Sequence, residues 1–208
     1  MSVLPMPFKK LHATIKELLE NLEISEPTTF QTKSIPVIKS GANVFCTGPA
    51  ELGKTTTLIL TTMHKLKCEA VGTAPRAIIL VENREKALAI YDTLTAYTRY
   101  NSLRVYLADE KIHIDLLKSE IFEGVDILIA TPQSLNKLLL SNGVSTSSLM
   151  LFSIDDADFL SQRAAFSTLL SITPSITKCQ FVLYAQKMTP KLQSLDSYFM
   201  EYAKIVSV

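Results

Sequence analysis

The stretch that decides the fold is Gly48-Pro49-Ala50-Glu51-Leu52-Gly53-Lys54-Thr55, a complete G-x-x-x-x-G-K-[ST] pattern. It follows a short apolar run over 43–47 and precedes residues with helical spacing. Glycines let the backbone curl, so that successive N–H groups and the N-terminus of the next helix point at a phosphate. These residues predict a strand, a phosphate-binding loop and a helix in succession.

Two side chains of this loop have specific predicted roles. Lys54 is expected to reach the β- and γ-phosphates as a mobile point charge, and the Thr55 hydroxyl to bind Mg²⁺. Glu51 would repel phosphate unless its side chain points outward. The alternative is an ordinary glycine turn with an exposed lysine. The predicted nucleotide contacts in and after the loop are Gly48, Glu51, Leu52, Gly53, Lys54, Thr55 and Thr56.

Short apolar runs rich in β-branched residues alternate with stretches of helical spacing along the rest of the chain. This alternation indicates right-handed βαβ units, so we predict an α/β fold with a mostly parallel seven-stranded sheet and helices on both faces. A short run by itself can also be a buried helix segment. An amphipathic helix is predicted to start at Phe8 and end before Ser25-Glu26-Pro27. The predicted strands are 43–47, 77–81, 103–107, 125–130, 149–154, 180–185 and 204–208.

Length and composition limit the class of protein. The 208 residues correspond to one large domain, and a net charge of +1 argues against a strongly basic nucleic-acid module. Three cysteines without a C-x-x-C pair argue against a disulfide framework and a zinc site, and the three histidines share no metal-ligand spacing. There is no signal segment and no apolar stretch of about 20 residues. We therefore expect a soluble, cytoplasmic protein.

Acidic residues follow a second apolar run. Residues 149–154 lead into Asp155-Asp156-Ala157-Asp158. Because the carboxyl ends of parallel strands share one edge of the sheet, these residues are expected near the phosphate loop, which needs a carboxylate for magnesium. Asp155 is the predicted metal ligand, and Asp156 is predicted to orient an attacking water. The alternative is that these side chains cap the next helix.

These motifs, in this order, resemble the first RecA-like domain of the DEAD-box RNA helicases over residues 8–208. Pro27-Thr28-Thr29-Phe30-Gln31, followed by Ser34-Ile35-Pro36, is similar to that family's adenine-reading Q motif. By this resemblance Gln31 hydrogen-bonds the adenine edge and Phe8 packs on the base. The implied fold is a RecA-like P-loop NTPase three-layer sandwich.

Three further segments carry the resemblance. The run over 77–81, continued by Arg84-Glu85, is similar to the segment that ends in P-T-R-E-L-A, and 127–132 is similar to the strand leading into T-P-G-R. Residues 155–158 stand where the family has D-E-A-D. The RNA contacts implied by the resemblance are Arg84, Glu85, Thr131 and Pro132. The implied catalytic residues are Lys54 and Asp156.

Several positions depart from the family pattern. The glutamate of D-E-A-D, which positions water in the family, is here Asp156, whose side chain is one methylene shorter. A displacement of ~1 Å can change a rate by roughly a hundredfold. The family's S-A-T segment, which couples hydrolysis to strand separation, is here Tyr184-Ala185-Gln186 and lacks the serine and threonine hydroxyls. On the RNA side each departure removes a phosphate contact or adds negative charge. In these departures Glu82-Asn83 replaces the P-T of P-T-R-E-L-A, Ala108-Asp109 replaces a pair of glycines where the family's backbone approaches an RNA phosphate, and Ser134 replaces the arginine of T-P-G-R.

The resemblance implies one RecA-like domain over residues 1–208, with the N-terminal helix and Q-motif region in residues 1–40, and with ATP and Mg²⁺ as cofactors. No H-R-x-G-R-x-x-R pattern occurs, so the second RecA-like domain, which supplies arginine fingers in the family, is expected outside this chain. We therefore expect an ATP-binding helicase domain that is slow or inactive alone. Its expected partners are a nucleotide, single-stranded RNA at a weakened site and the second domain of the same polypeptide. A monomer that contacts no membrane is expected.

Two other functions stay open. A helicase fold that serves as a non-catalytic scaffold or nucleotide-gated interaction module is favoured by Asp109, Ser134 and the segment 184–186. An unrelated phosphate-loop ATPase or kinase that acts on a small substrate is the second. Adenine selectivity that depends on Gln31 would distinguish the helicase from this last alternative.

Overall fold

Seven short strands form one sheet in the computed structural model, which describes residues 5–208. All neighbouring strands are parallel, as expected for buried strands that alternate with helices. Every predicted strand is present and the fold class is confirmed. The strands are β1 (Val44–Thr47), β2 (Ala77–Leu80), β3 (Val105–Leu107), β4 (Ile127–Ala130), β5 (Leu151–Ile154), β6 (Gln180–Ala185) and β7 (Lys204–Ser207).

Helices precede the sheet and connect its strands. The α-helices are α1 (Ala13–Asn21), α2 (Thr29–Lys39), α3 (Lys54–Lys65), α4 (Arg84–Thr98), α5 (Ile114–Glu123), α6 (Pro132–Leu140), α7 (Arg163–Ile172) and α8 (Pro190–Gln193). Short 3-10 helices occupy Phe8–Lys10, Ala157–Ser161, Thr173–Ser175 and Ser194–Ser197. None of the helices between residues 5 and 208 is long and apolar enough to cross a membrane.

The start of the chain differs from the single amphipathic helix that its spacing predicts. The 3-10 helix ends at Lys10, Leu11 is extended with φ −79° and ψ 168°, and α1 begins only at Ala13. Phe8, Leu11 and Ile15 are nevertheless all buried. The prediction is wrong about where the helix starts, because apolar spacing reports which side chains are buried and not whether the backbone hydrogen bonds are continuous.

The order of the strands places two loops close together. The sheet runs β3-β4-β2-β5-β6-β1-β7. The end of β1 at Thr47 is level with Ala185 of β6, and the end of β5 at Ile154 is level with Leu183 of the same strand. The loops after β1 and β5 therefore leave the sheet at one edge, called here the carboxyl edge, with only β6 between them. Ligands of open parallel sheets bind at this edge.

The core has two layers, one on each face of the sheet. Ile79 and Ile129 point into a cluster covered by α1 to α4, whereas Ile78 and Leu128 point into a second cluster covered by α5 to α8. Successive residues of a strand face opposite sides, so a strand that is apolar throughout must be covered twice. The result is the three-layer arrangement of helices, sheet and helices.

A buried ion cluster joins three strands at the opposite, amino edge. The fully buried Asp126 precedes β4, and it accepts hydrogen bonds from Arg76 Nη2, before β2, at 2.7 Å and from Arg104 Nε, before β3, at 2.8 Å. Burial by itself would raise the pKa of Asp126, but these hydrogen bonds and two from backbone N–H groups hold it below its ordinary value. The cluster therefore fixes the starts of β2, β3 and β4 relative to one another.

Candidate functional site

The predicted phosphate-binding loop joins β1 to α3 at the carboxyl edge. Its last glycine, Gly53, is the N-cap of α3 and has a left-handed backbone with φ 81°. A Cβ atom at this position would lie 2.8 Å from Gln31 Nε2. Both the backbone angle and the close approach therefore favour glycine at this position.

The Lys54 side chain is directed into the loop. Its Nζ donates hydrogen bonds to the carbonyl oxygens of Gly48 at 2.5 Å and Pro49 at 2.8 Å, and the residue is only 7% exposed. An ammonium group can exchange such neutral acceptors for the stronger, charge-assisted hydrogen bonds that phosphate oxygens offer. The alternative of an exposed lysine on an ordinary turn is contradicted by this burial.

The acidic residue in the middle of the loop, Glu51, does not fold into it. Glu51 is exposed and has a positive φ of 65°. Leu52 is half-buried, and its carbonyl oxygen accepts a hydrogen bond from the Thr28 hydroxyl at 2.8 Å. This bond ties the segment that resembles the Q motif to the phosphate loop. Thr56, in the first turn of α3, is half-buried, and its predicted contact with a nucleotide stays a prediction.

Gln31 lies between the start of α2 and the phosphate loop. It is 4% exposed, and its Oε1 accepts a hydrogen bond from the backbone N–H of Thr28 at 2.9 Å in a capping box. A carbonyl oxygen has two lone pairs, so this bond leaves one acceptor position and the amide N–H groups for another partner. Phe8 is fully buried in the core. Its ring would have to move to contact a base, and both adenine contacts stay predictions.

Thr55 and Asp155 come together although they lie far apart in the chain. The Thr55 hydroxyl is 3.3 Å from Asp155 Oδ2 and 3.5 Å from Oδ1. Burial raises the pKa of Asp155 to about 6, and the charge of Asp156 adds to this, against the Thr55 hydrogen bond and the charges of Lys86 and Lys54. Within residues 5–208 no cationic group hydrogen-bonds this carboxylate, and a bound divalent cation would favour its charged form.

These donors suit a magnesium nucleotide. Mg²⁺ prefers oxygen ligands and is held in proteins by one or two side chains together with phosphates and water. A hydroxyl and a carboxylate within 3.5 Å of each other, at the start of α3 and the end of β5, supply such ligands. Lys54 and the backbone of the loop supply the donors for phosphate oxygens.

Asp156 has a partner that the sequence analysis missed. It has a left-handed backbone with φ 48°, and its Oδ2 accepts a hydrogen bond from Lys86 Nζ at 2.8 Å. Partial burial by itself would lower the pKa of Lys86, but the bond to Asp156 and the nearby Glu82 raise it. Lys86 stands at the leucine of P-T-R-E-L-A. A basic residue at an apolar position of a recognised motif was the signal that could have revealed it.

The turn after β5 also contacts the end of β6. The backbone N–H of Gln186 donates a hydrogen bond to Asp158 Oδ2 at 2.8 Å. This is the segment in which both hydroxyls of S-A-T are replaced. The contact uses the main chain, so the replacement of those hydroxyls does not remove the connection between the acidic turn and β6.

The residues predicted to contact RNA, Arg84, Glu85, Thr131 and Pro132, follow β2 and β4, and we call them the RNA side. Arg84 forms a two-pronged ion pair with Asp109, with Nε–Oδ1 and Nη2–Oδ2 distances both of 2.7 Å. The hydrogen bonds from Arg84 hold the pKa of Asp109 below its ordinary value and raise that of Arg84. The arginine is thus already paired with a carboxylate of its own chain.

Thr131 is engaged in a similar way. It is 2% exposed, caps α6 through a hydrogen bond from the Ser134 backbone N–H, and donates its hydroxyl to the Glu110 carboxylate. Pro132 is buried as the first residue of α6, whereas Glu85 is exposed in the first turn of α4. The adjacent residues Asp109 and Glu110 therefore occupy the polar groups of Arg84 and Thr131.

Comparisons with known proteins agree with this arrangement of motifs. The family model for the DEAD/DEAH box helicase matches residues 28–186. The chain is 30% identical over 193 residues to the ATP-dependent RNA helicase DBP7 of Meyerozyma guilliermondii, and the match covers 88% of this chain and 25% of that protein. It is 24% identical over 204 residues to the ATP-dependent RNA helicase dbp9 of Botryotinia fuckeliana, with 95% of this chain and 34% of that protein covered.

Solved structures show the same fold. A crystal structure of a DEAD box protein from the hyperthermophile Methanococcus jannaschii matches with a TM-score of 0.85 at 18% identity, and the match covers 95% of this chain and 54% of that one. The Saccharomyces cerevisiae dbp5, solved bound to gle1 and IP6, matches with a TM-score of 0.82 at 16% identity, over 96% and 51% of the two chains. The chain spans a quarter to a third of the two curated relatives above.

Proposed function

The chain belongs to the DEAD/DEAH box helicase family, and we propose that it binds ATP with Mg²⁺ as the nucleotide-binding RecA-like domain of an RNA helicase. The observation that carries the proposal is the meeting of the Thr55 hydroxyl and the Asp155 carboxylate, 100 residues apart, beside an inward-directed Lys54. The alternative of an unrelated phosphate-loop kinase or ATPase is contradicted by the family assignment.

Each side chain would act in a defined way. Lys54 exchanges the carbonyl oxygens of Gly48 and Pro49 for phosphate oxygens, and the backbone N–H groups around Gly53 bind the same group. Thr55 and Asp155 hold Mg²⁺, which when bound neutralises charge on the phosphates. Gln31 contacts the adenine edge. The second RecA-like domain is proposed to lie elsewhere in the native polypeptide, so the chain alone is expected to hydrolyse ATP slowly or not at all.

Lys54→Ala tests the phosphate loop. ATP·Mg²⁺ at about 100 times its dissociation constant should stabilise the wild-type chain by about 2.7 kcal/mol, roughly 5–10 °C in Tm for a domain of this size. The variant should lose this shift, whereas Lys137→Ala, at an exposed lysine of α6, should keep it. An unchanged shift in Lys54→Ala would sink the site assignment.

Gln31→Ala tests the base. The wild-type chain should prefer ATP over GTP, and the variant should lose that preference because the paired contacts to the adenine edge are gone. Gln133→Ala, at an exposed glutamine of α6, is the matched control. Calorimetric titration with both nucleotides measures the ratio. Equal affinities of the wild-type chain for ATP and GTP would contradict the role of Gln31.

A non-catalytic, nucleotide-gated module is the second candidate function. It is favoured by two ion pairs: Lys86 holds Asp156, the predicted water-positioning carboxylate, and Asp109 holds Arg84. The two functions differ in phosphate release by the native polypeptide that includes the second RecA-like domain. ATP binding without RNA-stimulated release supports the module, and stimulation by single-stranded RNA supports the helicase.

A further inference from the structure

A cavity lies at the amino edge of the sheet, away from the phosphate loop. Its volume is about 370 Å³, within the range that holds a small molecule. It opens where the last turns of α2 and α3 meet the starts of β5 and β6. Ile38 and Leu151 supply the apolar part of the wall. Gln180 also lines the cavity, and its side-chain amide donates to the carbonyl oxygens of Ile38 and Ala42, both at 2.7 Å.

The polar lining of this cavity is basic. Lys39, Lys65 and Lys67 line it, and none of its lining residues is acidic. Between residues 5 and 208 none of these three ammonium groups pairs with a carboxylate. Lys39 donates to the Lys10 carbonyl oxygen, and Lys65 to Gln180 Oε1 at 3.2 Å. Like charges gathered around a partly enclosed space raise the local concentration of anions.

Two histidines add to the same site. The backbone N–H of His12 donates to His64 Nδ1 at 3.1 Å, so the neutral His64 ring carries its proton on Nε2 and can donate from there. Burial, and then the charges of Lys39, His12 and Lys65, lower the pKa of His64 to about 4. His12 Nδ1 is itself buried and has no hydrogen-bond partner within the described chain. Such a group in a native structure requires an explanation.

We propose that this cavity binds a small molecule that carries a phosphate or similar oxyanion group on an apolar body, at a site separate from the nucleotide. The lysine ammonium groups and the His64 Nε2–H supply donors for the oxyanion, and Ile38 and Leu151 contact the apolar body. This site does not depend on the proposed ATP site, since the two share no lining residue.

A structural role for the lysines is the competing explanation. Lys39 and Lys65 stand in the last turns of α2 and α3, where a positive charge offsets the partial negative charge of a helix C-terminus. That role stabilises the helices without any ligand. It predicts no saturable binding of an anion and no effect of an anion on His12 or His64, so the two explanations are separable.

The experiment uses the chain with the Lys54→Ala substitution, so that the phosphate loop does not bind the probes. Phenyl phosphate and inorganic phosphate are titrated while the imidazole resonances are followed by NMR. The chain has three histidines, and His113, at the N-cap of α5 with 78% of its side chain exposed, is an internal control. His12 and His64 should shift saturably and His113 should not, with tighter binding of phenyl phosphate.

Variants complete the test. Lys39→Gln with Lys65→Gln should weaken phenyl phosphate binding roughly tenfold or more, because two charge-assisted hydrogen bonds are lost. Lys33→Gln with Lys137→Gln removes two exposed lysines and should leave binding unchanged. Absent or non-saturable shifts in the wild-type cavity, equal binding by the double variant, or equal shifts at all three histidines would each overturn the proposal. Equal affinity for the two probes would overturn the apolar part of it.

Discussion

On the side of the carboxyl edge that holds the phosphate loop, called here the nucleotide side, Lys54 and Asp155 form side-chain hydrogen bonds only with neutral groups among residues 5–208. On the RNA side, by contrast, Arg84 is paired with a carboxylate of its own chain. The nucleotide side leaves its charges to be matched by a ligand. On the RNA side the charge of Arg84 is matched within the protein, so an RNA phosphate would have to displace Asp109 to reach it. The same sheet edge therefore holds one site prepared for a charged ligand and one that is internally satisfied.

The ion cluster at the amino edge shows how a fully buried and paired carboxylate compares with those at the carboxyl edge. The single charge of Asp126 is matched by Arg76 and Arg104, as that of Arg84 is matched by Asp109, but Asp126 is completely buried and holds strands together. Buried pairs are costly to break, while exposed pairs contribute little. The loss of stability on removing a carboxylate should therefore be largest at Asp126 and smaller at the more exposed pairs of Asp109 and Asp156. Within the described residues Asp155 has no ion pair to lose, so its removal should affect ligand binding instead.

The largest effect is expected at Asp126. Asp126→Asn should destabilise the fold by about 3–5 kcal/mol, because Arg76 is left buried without its charge partner. Because folding lowers the pKa of Asp126, its stabilising contribution is complete above the unfolded pKa of about 3.9 and disappears as pH falls through the lower folded value. Urea unfolding measured between neutral and acidic pH checks both effects.

The exposed Asp115 provides the control for that measurement. Asp115→Asn should change stability only slightly and should leave the acid dependence of the wild-type chain intact. If Asp126→Asn behaved like Asp115→Asn, the cluster would be a minor contributor and the reference for the comparison would be lost.

On the nucleotide side the sharpest change is Asp155→Asn. Losing a charged metal ligand should weaken ATP·Mg²⁺ binding ~100-fold, equivalent to about 3 kcal/mol, while binding of ATP in EDTA should change little. Asp92→Asn, at an exposed position of α4, should leave both affinities as they are. Calorimetry with and without Mg²⁺ measures the difference. Equal losses in the two conditions would show that Asp155 does not act through the metal.

On the RNA side Asp109→Asn should increase affinity. Release of Arg84 adds one phosphate contact, so binding of a single-stranded oligonucleotide should strengthen roughly five- to tenfold and its dependence on salt should steepen by about 0.7, the contribution of one charge. Arg84→Gln added to this variant should cancel the gain. Asp115→Asn alters net charge equally and should have much less effect.

Fluorescence anisotropy over a range of salt concentrations measures these changes in RNA binding. If Asp109→Asn and Asp115→Asn strengthened binding equally, general electrostatics and not the Arg84–Asp109 pair would be responsible. The pairing of Arg84 with Asp109 would then not limit RNA binding, and the proposed difference between the two sides would not hold.

The smallest effect is expected at Lys86. Both partners of the Lys86–Asp156 pair are about 40% exposed on their side chains, so the pair should contribute less than about 1 kcal/mol. Lys86→Met should therefore alter stability slightly and leave ATP·Mg²⁺ affinity within about twofold. A double-mutant cycle with Asp156→Asn, read by urea unfolding, isolates the pairwise energy. A coupling of several kcal/mol would show that Asp156 is held as firmly as Asp126.

The accuracy of the sequence predictions follows the range of the interactions involved. Strands such as β2 and β4 were predictable because short apolar runs between polar turns carry their own signal. The start of α1 was not, since the apolar spacing continues from Phe8 through the extended Leu11. The contact of Lys86 with Asp156 spans 70 residues and depends on β2 lying beside β5.

The sequence by itself determined the alternation of strands and helices that implies a parallel sheet, the phosphate loop over 48–55 and the acidic turn at Asp155, because the strand and helix signals and the two loops are each patterns of neighbouring residues. Only the tertiary structure decided which charges meet. The order β3-β4-β2-β5 brings Asp109 to Arg84, and the buried starts of three strands gather around Asp126. Strand order is set by the packing of the whole core, so no local pattern contains it.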